Sequence, residues 1–265
     1  MPNQLTPYAA VNVVLGDLLA GVQRILGEQF VGMYLYGSLS SGEFDPSHSD
    51  IDFVVVTASE VTDRQFRDLD ALHQRLRTHY PKWGPKLEGA YIPVNSIRRA
   101  DPADAPHPFL NEGTFRFEQL GIDWIIQRYI IREYGVVLAG PAPSTLIDHV
   151  LPDHLRWAVW GALHGWWAAH LAEPMRLKER GYQAFAITTM CRALYTLETG
   201  DLCSKRAAIR WAQETIGDQW GDLIERAIAW QNGLDESADG IEEAQEFIRY
   251  TIERSEQIMS AADES

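Results

Sequence analysis

"YLYGSLSSGEFDPSHSDIDFVVVT", residues 34–57, is the stretch whose reading decides the fold. An apolar segment ends at Gly37-Ser38, a loop rich in Ser, Gly, Pro and Asp fills residues 39–49, and a second apolar segment opens on Asp50 and Asp52. Residues i and i+2 of a strand point to the same face, so the two carboxylates stand side by side. Like charges that close repel, and the pair is costly unless solvated or neutralised by a cation. A divalent ion shared between carboxylates and substrate phosphates is the usual solution. Gly37 permits a tight turn and lets a phosphate approach with no Cβ in the way. Ser38 adds a hydroxyl and a backbone N–H. The plainer alternative is an amphipathic strand with an acidic outer face.

Working outward, Thr6-Pro7 reads as a helix start, with Val11, Val14, Leu18 and Val22 at helical spacing and Gly27 closing the segment. Residues 30–38 read as a buried strand feeding the Gly-Ser turn, and 51–57 as a second strand. Thr62 and Gln65 form a capping box for a helix whose buried stripe is Phe66, Leu69, Leu72 and Leu76. "KLEGAYIPV" (86–94) reads as a third strand, 99–113 as an irregular connection, 118–134 as a helix and 135–143 as a short extended piece. From about residue 145 the pattern is helical throughout. The expected fold class is α+β: a mixed sheet flanked by helices over 1–145, then an all-α domain over 146–265.

Gly-Ser followed by Asp-x-Asp on a strand resembles the nucleotidyltransferases of the DNA polymerase β superfamily. Within it, Tyr36-Gly37-Ser38 and His48-Ser49-Asp50-Ile51-Asp52 are most similar to the adenylyltransferases that modify streptomycin and spectinomycin. That resemblance implies magnesium-dependent transfer of AMP from ATP to a hydroxyl of a small aminoglycoside-type molecule, with release of pyrophosphate. It implies Asp50, Asp52 and Glu88 as ligands of Mg2+ (two ions), with Glu88, in the third strand, as the base for the attacking hydroxyl. Gly37, Ser38, His48 and Ser49 then serve the nucleotide; His48 either polarises a phosphate or hydrogen-bonds its own loop. In-line transfer needs stabilisation of both the entering and the departing oxygen, which is why more than two carboxylates are expected.

Lys205 and Arg206 fall in the first turn of a helix capped by Ser204, where the helix dipole disfavours positive charge. An anion bound nearby would reverse that penalty. The family has a similar Thr-Gly-x-x-x-x-Lys run after an arginine-bearing helix, which implies phosphate contacts for Arg192 and Lys205. Its acceptor site has a tryptophan platform and acids that grip ammonium or guanidinium groups. Here "NEGTFRFEQ" (111–119) offers Phe115 or Phe117, and "LKERGYQAF" (177–185) has Lys178 and Tyr182 where aspartates are expected. Glu112, Phe115, Glu179 and Tyr182 are therefore the acceptor candidates. Two other readings keep the fold: a protein acceptor, as in nucleotidyltransferases that modify a partner toxin or themselves, or a non-catalytic nucleotide sensor.

The 265 residues suffice for one large or two ordinary domains, and 46% hydrophobic with 23% charged content suits a globular protein. A net charge of −14 argues against nucleic acid as the main partner and is permissive for cations. Two cysteines make no disulfide framework. No signal-like N-terminus is read, nor an apolar run of membrane-spanning length. The expected chain is cytoplasmic, a monomer or weak dimer, partnered by a nucleoside triphosphate and a small hydroxylated acceptor, with no nucleic acid and no membrane. Trp157, Trp160, Trp166 and Trp167 are expected to pack the helical domain, one or two of them lining a cleft. His154, His164 and His170 lack metal-ligand spacing.

Overall fold

The computed structural model describes residues 6–99, 105–172, 176–231 and 240–263. Two compact units make up the chain, Met1–His149 and Val150–Ser265.

The first unit runs α1 (Ala9–Leu26), β1 (Phe30–Leu35), α2 (Ser38–Ser41), β2 (Ile51–Thr57), α3 (Asp63–His79), β3 (Leu87–Pro93), α4 (Val94–Arg99), β4 (His107–Asn111), β5 (Thr114–Glu118), α5 (Trp124–Tyr134) and β6 (Val136–Ala139). The six strands form one sheet in the order β5-β4-β3-β2-β1-β6. β2 and β3 are parallel and every other neighbour pair is antiparallel, so the sheet is mixed.

Period-2 alternation divides the strands between two cores. Leu35, Ile51, Phe53, Val55, Leu87 and Tyr91 pack with the apolar stripes of α1 and α3. Tyr34, Val54, Val56, Ala90 and Ile92 pack with Ile97 of α4 and with Trp124 and Ile131 of α5. The sheet is thus buried on both faces, which explains why β1 and β2 read as continuous apolar runs. Arg128 of α5 is buried and donates to the carbonyls of Ile97 (2.7 Å), Arg99 (2.8 Å) and Arg98, satisfying the C-terminal end of α4.

Several expectations are corrected. α1 begins at Ala9 and not at Pro7, because Thr6 is turned aside to bond the Asn12 side chain (N–H to Oδ1 2.9 Å, hydroxyl to Oδ1 2.8 Å). Residues 9–29 are long and apolar enough to cross a bilayer, contrary to the reading that no run reaches that length. In the fold, Val11, Val14, Leu15, Leu18 and Val22 of this helix are buried against the sheet, so the run serves as a core helix. The expected helix from residue 118 begins only at Trp124, and the preceding stretch forms the β4–β5 hairpin. Thr114–Glu118 alternates Phe with polar residues at period 2, a strand signal that the neighbouring helical pattern obscured. Residues 100–104 lie outside the described set. The capping box at Thr62 and Gln65 is present, with Gln65 donating its N–H to the Thr62 hydroxyl at 3.3 Å.

The second unit comprises α6 (Pro152–Ala162), a π-helical turn (Leu163–Trp167), α7 (Ala168–Ala172), α8 (Arg180–Thr199), α9 (Lys205–Gln231) and α10 (Ile241–Asp263). Its core is built on α8, whose Ala184, Ile187, Met190, Leu194 and Leu197 are buried. The tryptophans divide. Trp167 is buried, but Trp157 and Trp166 are 48% and 53% exposed, so packing accounts for only part of the cluster.

Candidate active site

Asp52 and Glu88 are register partners on the parallel strands β2 and β3. Alternation puts Asp52 on the face of Val54 and Val56, and Glu88 on the face of Ala90 and Ile92, so both side chains stand on the face covered by α4 and α5. Tyr36, one residue past β1, packs on that same face and donates its backbone N–H to the Asp52 carbonyl at 3.1 Å. Tyr36, Asp52 and Glu88 therefore form a row across three adjacent strands, all three partly buried. Asp50, just before β2, extends the row into solvent.

Gly37 explains how the chain passes this row. Its φ is +64°, and a Cβ there would lie 2.1 Å from Asp52 Oδ2. Only glycine fits both the left-handed backbone and the closeness of the carboxylate. Ser38 opens the short helix α2, whose Ser40 and Ser41 hydroxyls donate back to the carbonyls of Gly37 (3.0 Å) and Ser38 (3.3 Å). The following loop is organised by Asp45: it accepts the Ser47 N–H at 2.8 Å, and its own N–H donates to the Ser49 hydroxyl at 2.9 Å. His48 Nδ1 lies 3.4 Å from Asp45 Oδ2 with its side chain 76% exposed, the loop-bonding alternative. Lys86 donates to the carbonyls of Ser47 (3.0 Å) and Ser49 (3.2 Å), tying the loop to the start of β3.

The electrostatics are those of crowded carboxylates. Glu88 is pushed above the usual carboxylate range, first by burial and then by Asp50, with a smaller contribution from the Glu112 carboxylate. A hydrogen bond from the Glu112 backbone N–H opposes this. Asp50 is also raised by burial, and Lys86 pulls it back down. The Tyr36 hydroxyl is driven up by burial and by the charges of Asp52, Glu88 and Asp123. Asp123, at the N-cap position of α5, is itself raised by its surroundings and by Glu118; its outer edge is exposed, so solvent screens part of that shift. Tyr36 entered the sequence reading only as part of its motif, with no role at the site, and Asp123 did not enter it. The signal for Asp123 was an acid directly before an apolar helical pattern.

Among the described residues, no set of three or more His, Cys, Asp or Glu side chains is gathered closely enough to hold a metal ion by itself. The expected cluster of Asp50, Asp52 and Glu88 is present as a row along the sheet, not as a closed cage. The donor set nonetheless suits a hard cation: oxygen ligands of one sign, partly withdrawn from water. Mg2+ takes one or two carboxylates plus waters and phosphates and does not demand an all-protein cage.

Of the acceptor candidates, Phe115 packs its ring on Phe66 (4.7 Å), His73 (5.1 Å) and Tyr91 (5.6 Å). Glu112 occupies the tip of the β4–β5 hairpin. In the helical unit, Glu179 is the N-cap residue of α8, without a side-chain capping bond. The Tyr182 hydroxyl is 3.0 Å from His170 Nε2, and the two rings stack. Arg192 lies within α8 and Lys205 opens α9, after Gly200 ends α8 with φ +70°. Ser204 caps α9, its hydroxyl accepting the Ala207 N–H at 3.3 Å.

Known proteins resemble this chain in both units. The nucleotidyltransferase-domain family model matches residues 19–88, and the aminoglycoside adenylyltransferase C-terminal-domain model matches residues 145–254. The aminoglycoside (3'') (9) adenylyltransferase of Klebsiella pneumoniae is 26% identical over 261 residues, covering 91% of this chain and 94% of that protein. The spectinomycin 9-adenylyltransferase of Staphylococcus aureus is 25% identical over 234 residues, covering 83% and 85%. The fold is similar to the crystal structure of a spectinomycin adenyltransferase from Enterococcus faecialis with ATP and spectinomycin, at TM-score 0.68 and 18% identity over 92% of this chain and 98% of that one. A nucleotidyltransferase domain followed by the C-terminal domain of that family makes the chain an enzyme of the nucleotidyltransferase type, a member of the aminoglycoside adenylyltransferase-like proteins in the DNA polymerase β superfamily.

Proposed function

We propose that the enzyme transfers AMP from ATP to a hydroxyl of a small aminoglycoside-type acceptor, and that residues 1–145 carry the nucleotidyltransferase chemistry while 146–265 cap the substrate and nucleotide. The observation that carries this reading is the row Asp52–Glu88 beside Gly37, three strands fixing two carboxylates against a turn that admits no side chain. Asp50 and Asp52 would hold Mg2+, with Glu88 as a further ligand. The bound ion supplies charge neutralisation at the phosphates and at the departing pyrophosphate. Gly37, Ser38 and Ser49 present the loop to the phosphates, with His48 at its exposed edge. Arg192 and Lys205 are assigned to the nucleotide by the family's Thr-Gly-x-x-x-x-Lys run, as cations suited to phosphate.

Glu88 is assigned as the base. Its raised proton affinity, caused by burial and by Asp50, suits a carboxylate that must take a proton near neutral pH. The acceptor oxygen forms its bond to the α-phosphorus as the bond to the β-phosphate breaks. The hydroxyl proton passes to Glu88 and pyrophosphate departs. The names of the relatives, which specify aminoglycoside and spectinomycin, support an acceptor of that class. Localisation in the cytoplasm, where ATP is abundant, belongs to the same proposal.

The test is pyrophosphate release on incubation with ATP, Mg2+ and a panel of aminoglycosides and aminocyclitols. Acceptor-dependent release with a product heavier by one AMP is expected. If ATP binds yet no panel member supports turnover, the antibiotic acceptor is wrong; AMP adducts on a protein in intact-mass spectra would move the acceptor to a protein.

A further inference from the structure

Among the described residues, Glu112 alone adopts a left-handed backbone without being glycine, with φ +49°. It is followed by Gly113 at φ +73°, and the two residues connect the paired Asn111 and Thr114. Two successive positive φ values suit a two-residue hairpin turn, a place where Asn or Gly is favoured and a glutamate is strained. Such strain persists only where its surroundings impose it, and it tends to collect at functional sites.

The surroundings here are specific. Gly89 pairs with Leu110, so the hairpin tip lies directly beside Glu88. That register sets Asn111 beside Glu88 and the Glu112 amide at the next peptide, from where it draws the proton affinity of the Glu88 carboxylate down. The hairpin is anchored from the far side by Phe66 of α3, stacked on Phe115 at 4.7 Å and on Phe117 at 4.6 Å. Gly113 is confined by its backbone, since φ +73° is a conformation that side chains rarely adopt. Without the Glu112 amide, Glu88 would be a flexible side chain with several rotamers and little to select among them.

We infer that the 112–113 turn is a backbone clamp on Glu88, and that Glu112 is a positioning residue acting through its amide and not through its carboxylate. This rests on the reading of Glu88 as part of the transfer site. A base misplaced by about an ångström costs up to about 10^2-fold in rate, so the clamp bears on turnover and on the metal that Glu88 helps to hold, and not on affinity for ATP or the acceptor.

Three substitutions in the full chain separate the amide from the side chain. Glu112→Gly and Glu112→Asn keep the N–H and tolerate the backbone, whereas Glu112→Val keeps the N–H but resists positive φ. Gly and Asn variants should each keep at least a third of the wild-type kcat. The Val variant should lose at least tenfold in kcat, with KM for ATP and for the acceptor within twofold. Its loss should vanish in a Glu88→Gln background, because both changes act on one group. Calorimetry of Mn2+ with a non-hydrolysable ATP analogue gives a readout free of turnover: affinity at least threefold weaker for Val, unchanged for Gly. Should E112V fail to melt cooperatively, Glu112→Ala, milder in strain, should show an intermediate loss. Equal losses for Gly, Asn and Val, or a Val loss that adds to that of E88Q, would overturn the clamp. A wild-type enzyme that transfers AMP to nothing would instead defeat the functional reading, while the Mn2+ series would still decide the clamp.

Discussion

Strand register places the acidic groups of the first unit, whereas helix phase places the candidates of the second. Asp52 and Glu88 stand side by side because seven consecutive pairs lock β2 to β3, and a slip of one residue would send one of them to the opposite face. Arg192 and Lys205 depend on helix phase and on the αL turn at Gly200. The first arrangement fixes short carboxylates on a paired backbone; the second carries its cations on long side chains. Chemistry belongs on the rigid element and binding can be served by the adaptable one.

The largest effect expected from this contrast is on turnover. Asp52→Asn should lower kcat by on the order of 10^3-fold, comparable with or above the loss of a single preorganised electrostatic donor. Thermal stability should hold or rise, since the substitution removes one of several crowded carboxylates while conserving shape. Steady-state kinetics beside a melting curve decides the point: a drop in stability matching the drop in activity would make Asp52 a structural residue. Lys205→Ala should do the reverse, raising KM for ATP about ten- to hundredfold, the range for a charge-assisted contact, with kcat changed little. A pure kcat effect at Lys205 would erase the division of labour between the two units.

The same contrast decides what could be read from the chain. β1, β2 and β3, the Gly37 turn and the acidic row were legible because period-2 burial, a glycine-serine turn and Asp-x-Asp are local patterns. The β4–β5 hairpin was not, because its turn reads Asn-Glu-Gly-Thr, where a glutamate occupies a position that normally announces itself as Asn or Gly. Missing the hairpin meant missing the Glu112 amide, and Glu112 was read for its carboxylate alone. Tyr36 and Asp123 escaped for another reason: Tyr36 meets Asp52 and Glu88 through strand pairing, and Asp123 meets Tyr36 only when α5 packs on the sheet, both relations between residues far apart in sequence. In the helical unit, Trp157 and Trp166 looked like core because apolar residues at helical spacing do not distinguish a buried face from an exposed one.

The smallest effect separates crowding from ordinary titration. Asp50 and Glu88 are both raised in the fold, so their protonated forms are favoured by folding. Their contribution to stability is full below the ordinary carboxylate range near pH 4 and is lost as pH rises through the raised values. Asp45 and Asp148 are lowered, the latter by Arg98 and Arg99, and they act in the opposite sense: their stabilisation is present above that range and fades on acidification. The total pH profile therefore mixes both signs and cannot by itself reveal the site. The magnesium increment can. A divalent cation binds the ionised row, so saturating Mg2+ at about ten times its dissociation constant should raise Tm by roughly 3–5 °C at pH 7.5 and by much less at pH 5. In Asp50→Asn/Glu88→Gln the increment should fall away at both pH values. An increment of equal size at the two pH values, surviving in that double variant, would mean that Mg2+ stabilises the chain somewhere other than this row.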